Sequence, residues 1–170
     1  FHFVRYADDF VVICQSHTQA EGALHFVLQV LATLALQLSP EKTRITTFGK
    51  GYSFLGFVLS SQARRMRPKS LQKFKDKVRK LTTRHHNFEA PVIEKLNRVL
   101  QGTSRYFATS FSTCRWLFQK LDSWIRMRLR CMKFKRKRAS DNYKLRNRTF
   151  HKLGLFSMEQ FCIQQQAAKA

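Results

Sequence analysis

Two short apolar runs, residues 1–5 and 10–14, flank Tyr6-Ala7-Asp8-Asp9 near the start of the chain. Apolar strands meeting at a short polar stretch predict a β-hairpin with a tight tip. Thr18-x-x-Glu21 then reads as a capping box ahead of an apolar helix that runs to about Leu36. Along it Leu24, Val27, Leu28, Leu31 and Leu34 recur at helical spacing and predict one core-facing side, with Ser39-Pro40 as the stop. Residues 43–48 are β-branched and alternating, Gly49-Lys50-Gly51 is a turn signal, and residues 52–59 form a second apolar run. Together they predict a second hairpin.

At Ser60-Ser61-Gln62 the rhythm changes, which divides the chain into residues 1–61 and 62–170. Leu71, Phe74, Val78 and Leu81 mark a first helix, with Lys73, Lys75, Lys77, Arg79 and Lys80 around it. Residues 92–107 predict a second, with Pro91 suitably placed at its start. A third spans about 114–132, with Leu117, Phe118, Leu121, Trp124, Ile125 and Leu129 on its inner side. Its charged side continues into Lys133-Phe134-Lys135-Arg136-Lys137-Arg138. Lys152-Leu153-Gly154-Leu155 reads as a turn, and the Gln/Ala-rich end is expected to fray. The fold class predicted is α+β, two hairpins and a helix followed by a helical basic domain.

Charge sharpens that division. The net charge is +22, yet residues 1–61 hold four basic and four acidic residues and so sum to zero. Residues 62–170 carry 28 basic and six acidic residues, which is the whole excess. Such asymmetry points to a polyanionic partner. No apolar run is long enough to span a bilayer and no signal-peptide pattern opens the chain, so nucleic acid is favoured over a membrane surface. Cys14, Cys114, Cys131 and Cys162 are widely spaced, without zinc-ligand spacing, and three of them sit in apolar surroundings as small core residues do. Reduced, cytosolic chemistry fits. The expected location is the bacterial cytoplasm, with a nucleoid-associated or organellar site also open. The opening residues already read as the inside of a strand, which implies a piece of a longer protein.

Asp8 and Asp9 are the candidate chemistry. Asp is poor in strands and adjacent like charges repel. A lone acidic turn is the plainer explanation of such a pair, but tight apolar flanks on both sides weaken it. Adjacent carboxylates on a rigid tip can share divalent cations. Mg²⁺ prefers oxygen ligands, and two ions about 4 Å apart stabilise both oxygens of an in-line phosphoryl displacement. A pair alone does not complete such a site, which needs a further carboxylate from a neighbouring strand.

Tyr6-Ala7-Asp8-Asp9 between two strands resembles the catalytic-carboxylate motif of reverse transcriptases, and further segments fit in order. Residues 36–45, Leu-Gln-Leu-Ser-Pro-Glu-Lys-Thr-Arg-Ile, resemble the motif after the palm helix of group II intron reverse transcriptases, whose lysine falls on Lys42. Phe54-Leu55-Gly56-Phe57 resembles the hairpin that grips the primer terminus. Arg105-Tyr106-Phe107 and Leu121-Asp122-x-Trp124-x-x-x-Arg128-Leu129-Arg130 resemble the thumb, or maturase domain, of the same family, and residues 152–155 fit its end. The resemblance implies the carboxy-terminal part of a polymerase palm followed by a thumb.

By that resemblance Asp8 and Asp9 are metal ligands for Mg²⁺, with Mn²⁺ able to substitute, and Tyr6 lies near the primer terminus or incoming dNTP. Lys42 stabilises the leaving pyrophosphate, although an ordinary exposed lysine explains it equally well. Phe54, Leu55, Gly56 and Phe57 shape the primer grip, and Phe54 and Phe57 are expected in the core whatever else they do. Lys133, Lys135, Arg136, Lys137 and Arg138 are candidate RNA contacts, because repulsion within such a run is costly unless an anion is near. The implied partners are structured intron RNA, an RNA template with its DNA primer, and dNTPs. The implied roles are RNA-directed DNA synthesis, intron splicing and mobility. A tryptophan that the family pattern places near Thr103 is absent, and so is an upstream catalytic aspartate, so the chain alone is expected to be inactive. A non-catalytic RNA-binding splicing factor and a reverse transcriptase of a retron or phage-defence lineage are the alternatives.

Overall fold

The computed structural model describes residues 2–168, so the strand call at Phe1 and the last two residues of the Gln/Ala-rich end lie outside the described residues. The elements are β1 (His2–Tyr6), β2 (Asp9–Ile13), α1 (His17–Thr33), β3 (Tyr52–Phe54), β4 (Phe57–Leu59) and β5 (Arg64–Met66), then α2 (Pro68–Leu81), α3 (Ala90–Phe107), α4 (Arg115–Phe134), α5 (Asp141–Lys144), α6 (Asn147–Lys152) and α7 (Met158–Ala167). The fold is α+β, with a two-stranded antiparallel sheet, β1-β2, and a three-stranded one, β3-β4-β5.

The first hairpin forms as its pattern predicts, but Tyr6 pairs directly with Asp9, so the tip is only Ala7-Asp8. Ala7 has φ 52°, the positive value that a two-residue hairpin turn requires at its first central position. The cap of α1 is Ser16 rather than Thr18. The Ser16 hydroxyl accepts the Gln19 N–H, and the Gln19 side chain accepts the Gln15 N–H in return. The helix also stops earlier than Ser39-Pro40. The Leu36 N–H reaches Leu31 O and the Ala35 N–H reaches Ala32 O around a left-handed Ala35 with φ 53°. That is a Schellman ending built on alanine.

The second hairpin is not the predicted one. Residues 43–48 form no strand. Instead the apolar run 52–59 folds back on itself, Phe54 pairing with Phe57 across a Leu55-Gly56 tip whose φ values are 47° and 79°. Glycine within an apolar run marked a turn, not a strand interior. β5 then pairs with β4, and its Arg64 N–H and carbonyl both bond the Thr113 hydroxyl ahead of α4.

The core lies mainly in the second part of the chain and takes in Phe57 from the end of the first. It runs on through Phe74, Val78, Leu96, Leu100, Phe118, Leu121, Ile125, Leu129 and Phe150 to Met158 and Cys162. α1 buries no residue. Leu24, Val27 and Leu31 are only half-buried, and Leu28 and Leu34 are exposed, because the helix packs on a sheet of just two strands. The predicted core-facing side is therefore largely uncovered.

α4 fastens the helical part together through its polar residues. The buried Asp122 carboxylate accepts the Met158 and Glu159 N–H groups and the Ser157 hydroxyl, which caps α7 where the helix dipole favours negative charge. Arg128 donates to Thr82 Oγ1, Thr82 O and Arg79 O at the end of α2. Thr82 O is among the last carbonyls that a helix C-terminus leaves without an intrahelical partner. Arg130 donates to Leu145 O and Asn147 Oδ1, and Trp124 lies beneath the cations of Lys75 and Arg79. Capped at Asp122, residues 158–167 form a helix that the expected fraying had not allowed for, and Gln166 donates to Ser112 O.

Candidate active site and nucleic-acid interface

At the first hairpin Asp8 occupies the tip and Asp9 opens β2, and both are exposed. Cross-strand partners share a face, so Asp9 stands beside Tyr6, itself 65% exposed. The tip is held by the main-chain pairing and by the Arg5 guanidinium, which donates to Ala7 O at 2.7 Å. Neither carboxylate is spent on an Asx-type bond to its own turn, the usual structural use of Asp in such a position. Two carboxylates, neighbours in sequence and both open to solvent, suit Mg²⁺ in kind. Among the described residues no cluster of three acidic, His or Cys side chains is present.

Lys42 is exposed, its N–H bonded to Ser39 O in a turn, and among the described residues it forms no ion pair with Asp8 or Asp9. The structure therefore does not join it to the carboxylate pair.

Phe54, Leu55, Gly56 and Phe57 form the tip of the β3-β4 hairpin, and they are clamped onto the helices. Leu55 O accepts the Tyr106 hydroxyl at 2.8 Å, while Gly56 O accepts the Arg67 N–H and the Ser70 hydroxyl. Phe57 is buried with its ring 4.8 Å from that of Phe107 and 5.8 Å from that of Tyr106. A Cβ at Gly56 would lie 3.3 Å from Ser70 Oγ, and φ 79° would strain it besides. Phe54 is half-buried and Phe57 fully so.

The basic run after α4 divides on inspection. Lys135, left-handed at the helix end, donates to Arg84 O and His86 O and pins that loop. Arg136 pairs with Asp141, whose carboxylate is 1% exposed, so the anion that relieves this run includes one of the chain's own. Lys133 lies 5.6 Å from the Phe88 ring. Lys137 and Arg138 stand exposed.

Burial lowers the pKa of Arg128 and Arg130, and for Arg130 the neighbouring Arg126 charge adds to the effect. Beside Arg130, a groove between α4 and the α5–α6 segment is lined by Arg126, Tyr143 and Arg146, residues that the sequence reading did not single out. The repeat of Arg126 and Arg130 one helical turn apart was a visible signal. The position of Tyr143 opposite them was not.

The family profile described as Group II intron, maturase-specific domain matches residues 71–153. The profile described as Reverse transcriptase (RNA-dependent DNA polymerase) matches residues 1–59. Between them they leave only residues 60–70 and 154–170 unmatched. No curated protein matches the sequence significantly.

Proposed function

Because the chain belongs to the group II intron reverse transcriptase and maturase family, we propose that it supplies the carboxylate hairpin, the primer grip and the RNA-holding helices of an RNA-directed DNA polymerase that also assists intron splicing and mobility. On this reading residues 1–61 are the carboxy-terminal part of a palm and residues 62–170 a thumb. The observation that carries it is the exposed Asp8-Asp9 tip in a chain whose second part holds the entire +22 charge.

Asp8 and Asp9 would hold Mg²⁺, with Mn²⁺ as a substitute. When bound, such ions neutralise phosphate charge and activate the primer hydroxyl for displacement of pyrophosphate from a dNTP. The chain's own residues do the positioning. Tyr6 offers an exposed ring next to Asp9 for the terminal base or sugar. The Phe54–Phe57 tip, clamped by Tyr106, Arg67 and Ser70, gives the primer a platform that cannot slide against the helices. The basic helical surface binds phosphate through salt-dependent, sequence-independent contacts. Among the described residues no third carboxylate stands with Asp8 and Asp9, and on this reading the chain needs one from elsewhere to polymerise.

The Asp8→Asn, Asp9→Asn double variant tests this. It retains structured-RNA binding and removes Mg²⁺-dependent synthesis from a complemented enzyme. Synthesis surviving both substitutions would overturn the assignment. A splicing assay on a group II intron RNA separates this reading from a retron or phage-defence enzyme, which gives no stimulation. A non-catalytic splicing factor stimulates splicing but never extends a primer.

A further inference from the structure

Between α4 and the α5–α6 segment lies an open groove of about 740 Å³, within the roughly 300–1,000 Å³ range of small-ligand sites. Arg126, Arg130 and Arg146 line it together with Asn142, Tyr143 and Asn147, and no acidic side chain does. Arg130 is fixed: its Nε and Nη2 are held by Leu145 O and Asn147, and its plane lies 5.2 Å from the Phe150 ring. Among the described residues Arg126, one turn earlier on α4, donates to Ser123 Oγ alone. Like charges at this spacing oppose each other, and burial together with Arg126 pulls the Arg130 pKa down. Two acids near these arginines are already engaged: Asp141 by Arg136, and Asp122, one turn before Arg126 on α4, by the start of α7.

Tyr143 stands 80% exposed over this groove. The turn that carries it is anchored at both ends, by buried Asp141 under Arg136 and by buried Leu145, whose carbonyl Arg130 holds. An aromatic ring on so firm a mount contributes little packing. It presents a flat face instead.

We propose that this groove receives a single unstacked nucleotide of structured RNA, its phosphate on Arg126 and Arg146 and its base on the Tyr143 ring. Guanidinium forks match phosphate oxygens, and an exposed aromatic ring stacks on any base face. The amides of Asn142 and Asn147 can both donate to and accept from base edges. Paired RNA hides its base faces, so the ligand comes from a bulge or loop. The proposal rests on the RNA-holding reading and locates it away from the Lys133, Lys135, Arg136, Lys137 and Arg138 run. An acidic peptide would satisfy the arginines but leave the ring unmatched.

Two RNA hairpins of equal length test it on the full chain, one fully paired and one with a single bulged 2-aminopurine. The bulged hairpin binds about tenfold tighter, and its 2-aminopurine fluorescence falls on binding as the base stacks. Tyr143→Leu, a change on the surface, abolishes that preference and leaves the salt dependence intact. Arg126→Gln weakens both RNAs and lowers the salt slope by about 1. Equal affinity of the unaltered chain for the two hairpins overturns the proposal while leaving the RNA-holding reading in place. So does a preference that survives Tyr143→Leu, or displacement of the RNA by a polyglutamate peptide with the same Tyr143 dependence. Unchanged affinity in Arg126→Gln overturns the phosphate assignment. Binding to neither hairpin overturns the RNA-holding reading itself.

Discussion

Tyr106 on α3 donates its hydroxyl to the carbonyl of Leu55, 51 residues earlier at the tip of the β3-β4 hairpin, at 2.8 Å. This bond joins the segment that matches the reverse transcriptase profile to the segment that matches the maturase-specific one. It also fixes the hairpin tip relative to the basic helices, which a primer grip requires if the primer end and the held RNA are to keep one register.

Tyr106→Phe removes that bond and keeps the ring stacked on Phe57. Net loss of one such hydrogen bond is about 1 kcal/mol. Overall stability should fall by no more than that, while amide exchange in the β3-β4 ladder speeds up. Exchange unchanged at Phe57–Leu59 would show that the packing of Phe57 alone holds the hairpin.

Asp122 makes a sharper case. Three donors at the start of α7 converge on one carboxylate that is 5% exposed. Asp122→Ala leaves two backbone N–H groups and a hydroxyl short of their acceptor, at a cost of about 2–4 kcal/mol. Asp122→Asn keeps the shape and one acceptor oxygen and should cost less. Urea unfolding measures the ordering, and amide exchange should show α7 loosening first. Equal stability of all three chains would contradict the capping role.

The thiols set an alkaline limit. Burial raises the pKa of both Cys114 and Cys162 above the ordinary thiol value. The folded chain therefore keeps protons that the unfolded chain releases once the pH passes about 8.5, and stability falls as the pH rises from there. Below that value both states hold the proton and these groups add no slope. The urea midpoint should decline more steeply above pH 8.5 in the unaltered chain than in a Cys114→Ala, Cys162→Ala variant. Under native conditions alkylation should reach the half-buried Cys14 before the three buried thiols.

Legibility in the sequence followed the reach of each interaction. α2, α3 and α4 were readable because one apolar face repeats along each, and a proline sits at the start of α2 and α3. For α1 the same periodicity located an apolar side but could not say whether anything covers it. By patterning alone the second hairpin was misread, because 52–59 scans as one apolar strand; the resemblance of Phe54-Leu55-Gly56-Phe57 to a hairpin put the turn where the structure has it. β5 opens with two arginines, which hid it. In the basic run, the pairing of Arg136 with an acid five residues on was within reach of the sequence, whereas Lys135 bonds carbonyls 49 and 51 residues away. The residues 121–130 were recognisable by resemblance. Their work as fasteners between α4, α2, α6 and α7 appears only in three dimensions.

The central claim is that Asp8-Asp9 belongs to a polymerase site that this chain completes only with help. Primer extension on an RNA template with Mg²⁺ and dNTPs tests it most directly, using the chain alone and the chain joined behind the fingers and upstream palm of a group II intron reverse transcriptase. The account predicts no product from the chain alone, extension from the joined protein, and loss of extension on Asp8→Asn. Absence of product from the joined protein, with tight binding of structured RNA retained, would contradict it and leave a non-catalytic RNA-binding splicing factor.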